Sequence, residues 1–455
     1  MIRTTAWCGC AVAMVVTACG GGGGSGSGDG SASAEGSASL TSSAEGTAGS
    51  SDTSGSGGHS GTTTTATSAD SSGGSSGETE GPKFDLGIQP DVGTGECNGK
   101  GGGLDFSYIW IANTAQGTIT KLDTQTMVEA GRYITRPDSA GSPSRTSVNL
   151  SGDVAVGNRN GGVTKVYARP EDCVDGNGTP GLQTSTGKDD ILAWGEEECV
   201  AWYVPMAYTT QRPVAWTAGT FDEDTCSYHD QKLWISGAMN TDAMNIDVVL
   251  INGDDGAIEN MVTVPIAVNF YGAYGGAVDA EGDFWFMTYT SGSPLVEVDL
   301  DTLDYEITMM PAEVHPYGIT VDHAGRVWFG ADIGATARYD PATTTWMTIP
   351  GTTGLGIQEH PDGYMWMGTF PTTGIQAIDV ETLALGPFIA LPSPSQTKGV
   401  SIDFYGYVWL VDMTQTAWRI DPDTLAFESY DELDSPYTYS DMTGWGLSNV
   451  VGPQG

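Results

Sequence analysis

Residues 318–330 read GITVDHAGRVWFG, and the chain returns to this phrase three more times: GGAVDAEGDFWFM from Gly275, GIQEHPDGYMWMG from Gly356 and GVSIDFYGYVWLV from Gly399. In the first of these, Ile319 and Val321 alternate with polar residues, a turn follows at His323-Ala324-Gly325, and Val327-Trp328-Phe329 begins a second apolar run. Ala335–Tyr339 ends at the turn Asp340-Pro341, and Thr345–Ile349 makes a fourth run. Period-two alternation between turn residues is the pattern of short antiparallel strands, and four of them in about 40 residues make one propeller blade.

The tryptophan of the phrase extends the count. It recurs at Trp234, Trp285, Trp328, Trp366 and Trp409, with another at Trp110 in FSYIWIAN and Val156 at the same place in SGDVAVGNRNGGVTKVYA. The expected fold is therefore all-β, a seven-bladed β-propeller of four-stranded antiparallel blades over residues 83–455. Blade one lacks a first strand before Tyr108. The C-terminal run Trp445–Val450 is expected to supply it, pairing with residues 107–112 and closing the ring so that no strand edge is left open.

The N-terminal part is of another kind. Residues 1–19 have a positive start at Arg3 and an apolar run from Ala6 to Val16, too short to span a membrane, ending in Val16-Thr17-Ala18-Cys19. That is the pattern of a bacterial lipoprotein signal peptide, with Cys19 the expected lipidation site and two acyl anchors holding the protein to the cell envelope, on the periplasmic or surface side. Residues 20–82 are almost wholly Gly, Ser, Thr and Ala, without Lys or Arg. Such a composition cannot bury enough apolar surface to order itself, so it is expected to be a disordered linker, its ends on the order of 45 Å apart.

The formal charge is −40. Residues 83–455 carry 16 basic and 50 acidic side chains, a field that disfavours nucleic acid and favours cations and cationic ligands. Beyond the signal and Cys19, four cysteines remain: Cys97, Cys173, Cys199 and Cys226. An even number in an exported chain predicts two disulfides with three connectivities open. Cys173 and Cys199 flank one insertion and are expected to close it, which leaves Cys97–Cys226 by elimination. Inside that insertion, DCVDGNGTPG sets Asp172, Asp175 and Asn177 among glycines, a loose match to a calcium loop whose alternate oxygen ligands suit a hard cation.

The stretch from Gly275 to Asp421, and Pro316-Tyr317-Gly318-Ile319-Thr320 above all, resembles the streptogramin lyases (virginiamycin B lyases). The resemblance implies a seven-bladed propeller. It also implies an elimination that opens a cyclic ester, with a base removing a proton alpha to a carbonyl and a divalent metal, usually magnesium, stabilising the enolate. In that family a histidine stands before the Gly-Ile of the first strand in two neighbouring blades. Here the equivalent positions hold Ser144 followed by Arg145, then Val214, Tyr274, Tyr317, Leu355, Lys398 and Trp445. None is histidine, so no catalytic residue is carried over. Asp332 replaces the family's metal-binding glutamate, and Asp412 stands in the matching place of blade seven.

The function expected from these residues is binding of a peptide, glycan or small polar ligand at the central mouth by a monomeric propeller. Its lining would be Arg145, Tyr274, His315, Tyr317, Asp332, Lys398, Asp412 and Trp445. Two alternatives stand beside it: a divergent carbon–oxygen lyase using Ca or Mg, and a protein–protein platform at the cell surface.

Overall fold

The computed structural model describes residues 106–222, 225 and 227–452. Cys19, the signal and linker segments, and the Cys97–Cys226 pairing lie outside the described residues. Seven antiparallel blade sheets follow one another along the chain, six of them built from consecutive strands; in blade three a separate two-stranded sheet, Thr220–Asp222 with Ser227–His229, stands between the first strand and the second. Blade two, for example, consists of Pro143–Val148, Val154–Asn158, Val163–Val166 and Val200–Val204. The first strands of neighbouring blades abut one another around the central axis. Burial falls outward: Pro143–Val148, Thr210–Trp216, Gly354–His360 and Thr397–Ile402 are wholly buried, whereas the last strand of blade four, Tyr305–Met309, is largely exposed. In blade five the second and third strands merge into one element, Val327–Asp340. Its first half pairs with the inner strand Val314–Val321 and its second half with Thr345–Pro350.

The repeated phrase is explained by two contacts. Asp279, Asp322 and Asp403, each six residues before a blade tryptophan, accept the indole N–H of Trp285, Trp328 and Trp409 at 2.7, 2.8 and 2.8 Å. Their other carboxylate oxygens accept backbone N–H groups of the turn, such as Tyr405 and Tyr407 for Asp403. In blade six that position is His360, and among the described residues the Trp366 indole N–H has no acceptor. The second contact is between blades. A Cβ on Gly318 would sit 2.3 Å from the Leu355 carbonyl oxygen, and one on Gly356 would sit 2.4 Å from that of Lys398. Glycine lets adjacent inner strands approach this closely.

The ring is closed by the C-terminal chain, but not by the expected segment. Trp445–Val451 is a short α-helix. The strand-like partner of Tyr108–Asn113 lies just upstream: Trp110 N–H donates to the Met442 carbonyl at 2.8 Å, Tyr437 N–H to that of Ala112 at 3.3 Å, and Asn113 bridges to Pro436. Ser440 and Thr146 of blade two are joined by a reciprocal pair of bonds, and Met442 N–H donates to Ser401 of blade seven. The helix then tucks under the far end of the channel, with the Trp445 indole donating to the Glu359 carbonyl at 2.9 Å.

The insertion of blade two is pinned by a Cys173–Cys199 disulfide, as expected. Among the described residues no helix is long and apolar enough to cross a membrane.

Candidate site at the propeller mouth

Each inner strand begins with a break in register against its neighbour. In blade four, Ala273 pairs with Thr288 and Gly275 with Met287, so Tyr274 is an extra residue. The same break leaves Tyr317 extra in blade five, Lys398 in blade seven and Ser144 in blade two. A bulge of this kind re-aims one side chain out of the ladder. These are the positions at the head of the repeated phrase.

Six tyrosines gather there. Tyr274 stacks on Tyr289 (4.5 Å between ring centres), and Tyr317 meets Tyr274 edge-on at 5.3 Å and Tyr439 at 4.7 Å. Tyr271 and Tyr437 complete the group through Tyr289 and Tyr439. Tyr274, Tyr317 and Tyr439 are buried as a floor, while Tyr271, Tyr289 and Tyr437 are half-buried. At the rim Phe270 is 70 % exposed and packs edge-on against Tyr271. Its φ of +67° follows a φ of +49° at Asn269, a backbone that bulky residues rarely adopt and that concentrates at functional sites.

The hydroxyl groups form a small network. The Tyr437 hydroxyl lies 2.6 Å from that of Tyr317 and 3.1 Å from that of Tyr274. Burial pushes the Tyr274 and Tyr317 phenols well above the ordinary tyrosine value. Burial works the same way on Tyr437, but Lys398, the bonds from Tyr274 and Tyr317, and Arg145 together outweigh it and hold this phenol below the ordinary value.

Positive groups are set among the rings. The Arg145 guanidinium, 1 % exposed, lies against Tyr439 and donates to the carbonyls of Tyr439 and Tyr274. Lys398 Nζ is 4.4 Å from the Tyr317 ring centre and 5.4 Å from that of Tyr437. Arg212 lies over Tyr271 and Tyr274, and Arg159 over Tyr437. Beside them, His315 Nδ1 is 2.7 Å from Asp332, which also accepts the Tyr289 hydroxyl.

Of the eight lining residues expected from sequence, the fold brings six together: Arg145, Tyr274, His315, Tyr317, Asp332 and Lys398. Trp445 lies in the helix at the opposite end of the channel. Asp412 is a turn-former. It accepts the N–H groups of Thr414, Gln415 and Thr416 and bonds Ser393, so its carboxylate is engaged locally. Val214 is a buried core residue, and Gln211 and Arg212 precede it toward the mouth. Arg159, Arg212, Tyr271, Tyr289, Tyr437 and Tyr439 are not placed there by the repeat pattern. Alternation of Tyr437 and Tyr439 in SPYTYSDM was the available signal for the last two.

Below the tyrosine floor the channel narrows to a cavity of about 40 Å³, bordered by Ser147, Thr320, Gln358, Asp441 and Leu447. That is room for water and not for an organic ligand.

The expected calcium-loop residues do not converge. Asp172 pairs with Arg169, Asp175 accepts the Gly181 N–H, and Asn177 caps Thr179. Among the described residues, an acidic trio that could hold a metal stands elsewhere, where Asp279, Asp283 and Glu297 of blade four bring ligand oxygens within 4.8 Å of one another. Burial, with the neighbouring acids, raises Asp279 to about 6 and Glu297 to about 7. Asp279 is also held by Trp285 and by the Asp283 N–H.

The topology and the inner-strand bulges define a seven-bladed propeller with its side chains converging at one mouth. No protein-family model matches the sequence, and no curated protein matches it. Among solved structures, a streptogramin B lyase is similar at 15 % identity over 67 % of this chain and 87 % of that one, with a TM-score of 0.49. A Bacteroides uniformis protein provisionally described as a 6-phosphogluconolactonase matches at 11 % identity over 75 % and 98 %, TM-score 0.50. AztD from Citrobacter koseri matches at 10 % identity over 74 % and 97 %, TM-score 0.46. At such identities a likeness is one of fold alone, and propellers host many functions.

Proposed function

We propose that this protein is an exported, lipid-anchored propeller that binds a small polar ligand with a ring or planar face at its mouth, without converting it. The observation that carries the reading is the tyrosine floor. Six rings in mutual contact, three of them half-open, make a rigid amphipathic surface with hydroxyl groups directed among them, of the kind that small-molecule sites use for area and orientation together. The envelope anchor rests on Cys19 and its flanking signal. Thermal unfolding of the full-length protein in detergent, with panels of short peptides, oligosaccharides and aromatic acids, tests the reading. At least one compound should raise the midpoint, and the Tyr271→Ala/Tyr437→Ala double variant should lose that response. A variant that responds as the wild type does would remove the mouth from consideration.

One observation favours a second reading, a carbon–oxygen lyase. The Asp332 contact fixes His315 at the part-exposed rim and leaves its Nε2 without a partner among the described residues, the arrangement of an oriented general base. Incubation with a type B streptogramin, with and without magnesium, separates the readings. Lyase activity would give a product of unchanged mass and altered retention that the His315→Gln variant does not form.

A further inference from the structure

We infer that the mouth is built for an organic anion: a small molecule that presents a carboxylate to Lys398 and the neighbouring guanidinium groups while its ring or apolar face lies on the tyrosines. This rests on the mouth being a binding site and names the class of ligand that it takes.

The argument is one of missing partners. The protein is strongly acidic, with 17 basic residues against 57 acidic ones, yet Arg145, Arg159, Arg212 and Lys398 converge at one place. Charge taken out of water is expensive unless it is paired or fully hydrogen-bonded. Here it is neither. Arg212 Nη1 donates to Thr210 and the Tyr271 carbonyl and Arg159 Nε to Ser142, but among the described residues the Nε atoms of Arg145 and Arg212 are buried with no acceptor. Lys398 is 5 % exposed, and its contacts at Nζ are the faces of two rings. The nearby carboxylate, Asp332, is engaged by His315 and Tyr289. Tyr437 is the phenol most inclined to ionise, and one phenol does not balance four cations.

Burial lowers Arg145 to about 9 and holds Lys398, Arg212 and Arg159 below their ordinary values. A carboxylate among them would accept charge-assisted hydrogen bonds that the protein leaves unmade, and a planar guanidinium already stacked on a ring is well suited to hold one. The aromatic wall distinguishes an organic anion from an inorganic one, because only the former gains from contact with the rings. The sign at the mouth is thus opposite to that of the whole protein, whose overall field favours cationic ligands.

The test uses three probes on the full-length protein in detergent at constant ionic strength: sodium phenylacetate, its neutral analogue phenylacetamide, and inorganic phosphate, each titrated while thermal unfolding is followed. Phenylacetate should stabilise at concentrations about tenfold below either of the others. Lys398→Met and, separately, Arg159→Met should each weaken its effect about tenfold. Among the described residues Lys398 Nζ touches only ring faces and makes no hydrogen bond that the substitution would break, so that variant should fold. If phenylacetamide acts as strongly as phenylacetate, the mouth still binds but the anion assignment is wrong. Phosphate acting as strongly as phenylacetate would overturn the organic half. If none of the three stabilises the protein, both the assignment and the mouth reading fall.

Discussion

The two ends of the central channel treat buried charge in opposite ways. At the far end Asp279, Asp322 and Asp403 are buried, and each carboxylate is claimed by a turn N–H on one oxygen and an indole on the other. At the mouth Arg145, Arg212 and Lys398 are buried too, and among the described residues the Nε atoms of both arginines find no acceptor. A buried charge with its partners in place is part of the frame, recurring in blades four, five and seven. Among the described residues Arg338 of blade five also has a buried Nε with no acceptor, but only at the mouth do such groups gather, at Arg145 and Arg212 beside Lys398.

The contrast can be broken by measurement. The largest effect should come from Asp403→Ala, which strips acceptors from the Tyr405 and Tyr407 N–H groups and the Trp409 indole in a site closed to water. A loss of about 3 kcal/mol or more is expected in urea unfolding, with ligand response at the mouth unchanged. A loss below 1 kcal/mol would mean that these turns are not framework. The charge itself has a sign that can be checked. Burial raises Asp403 from 3.8 to about 6, so the folded state holds this proton longer than the unfolded chain does. Its contribution to stability therefore falls as pH rises from about 4 to 6, and the slope difference between wild type and Asp403→Asn should show it.

A smaller effect separates two tryptophans of similar burial. Trp409→Phe breaks a charge-assisted bond, whereas Trp366→Phe breaks none, because among the described residues the Trp366 indole has no acceptor. Trp409→Phe should be the more costly by about 2 kcal/mol. Equal losses would show that packing alone sets the role of the repeat tryptophan. Smallest, and opposite in direction, Lys398→Met should leave stability unchanged or raise it by about 1 kcal/mol, since it removes a buried charge and no hydrogen bond. A clear destabilisation would place Lys398 in the frame after all.

Much of this was legible in the sequence, for a particular reason. Blade count, strand alternation and the mouth positions Tyr274, Tyr317 and Lys398 all follow from one repeated phrase, because a residue at a fixed place in a repeat reaches a fixed place in the ring. What the repeat does not cover was not legible. Trp445-Gly446-Leu447 resembles the head of a blade strand, yet Gly444, in a left-handed conformation at φ +88°, starts a helix there, and the closing role passed to Pro436–Met442. Tyr271 and Tyr289 lie outside the strands in their blades, so no register argument reaches them. Arg212 escaped because the register shift in blade three lies between Ile235 and Gly237, against residues upstream of Val214, the position that the phrase would have marked. Asp412 matches Asp332 in position but not in use: the turn after it folds back on its carboxylate, whereas Ile333 carries the chain away from Asp332.

The segment that shuts the ring also brings Tyr437 and Tyr439 to the mouth. Neither reaches its neighbours until more than six blades have been made and the chain has returned to the first. On the proposed reading, recognition of a ligand and completion of the molecule are therefore a single event. A chain cut short before Pro436, or one not yet closed, would lack two of the six rings of the tyrosine floor, so binding at the proposed mouth would report a finished protein.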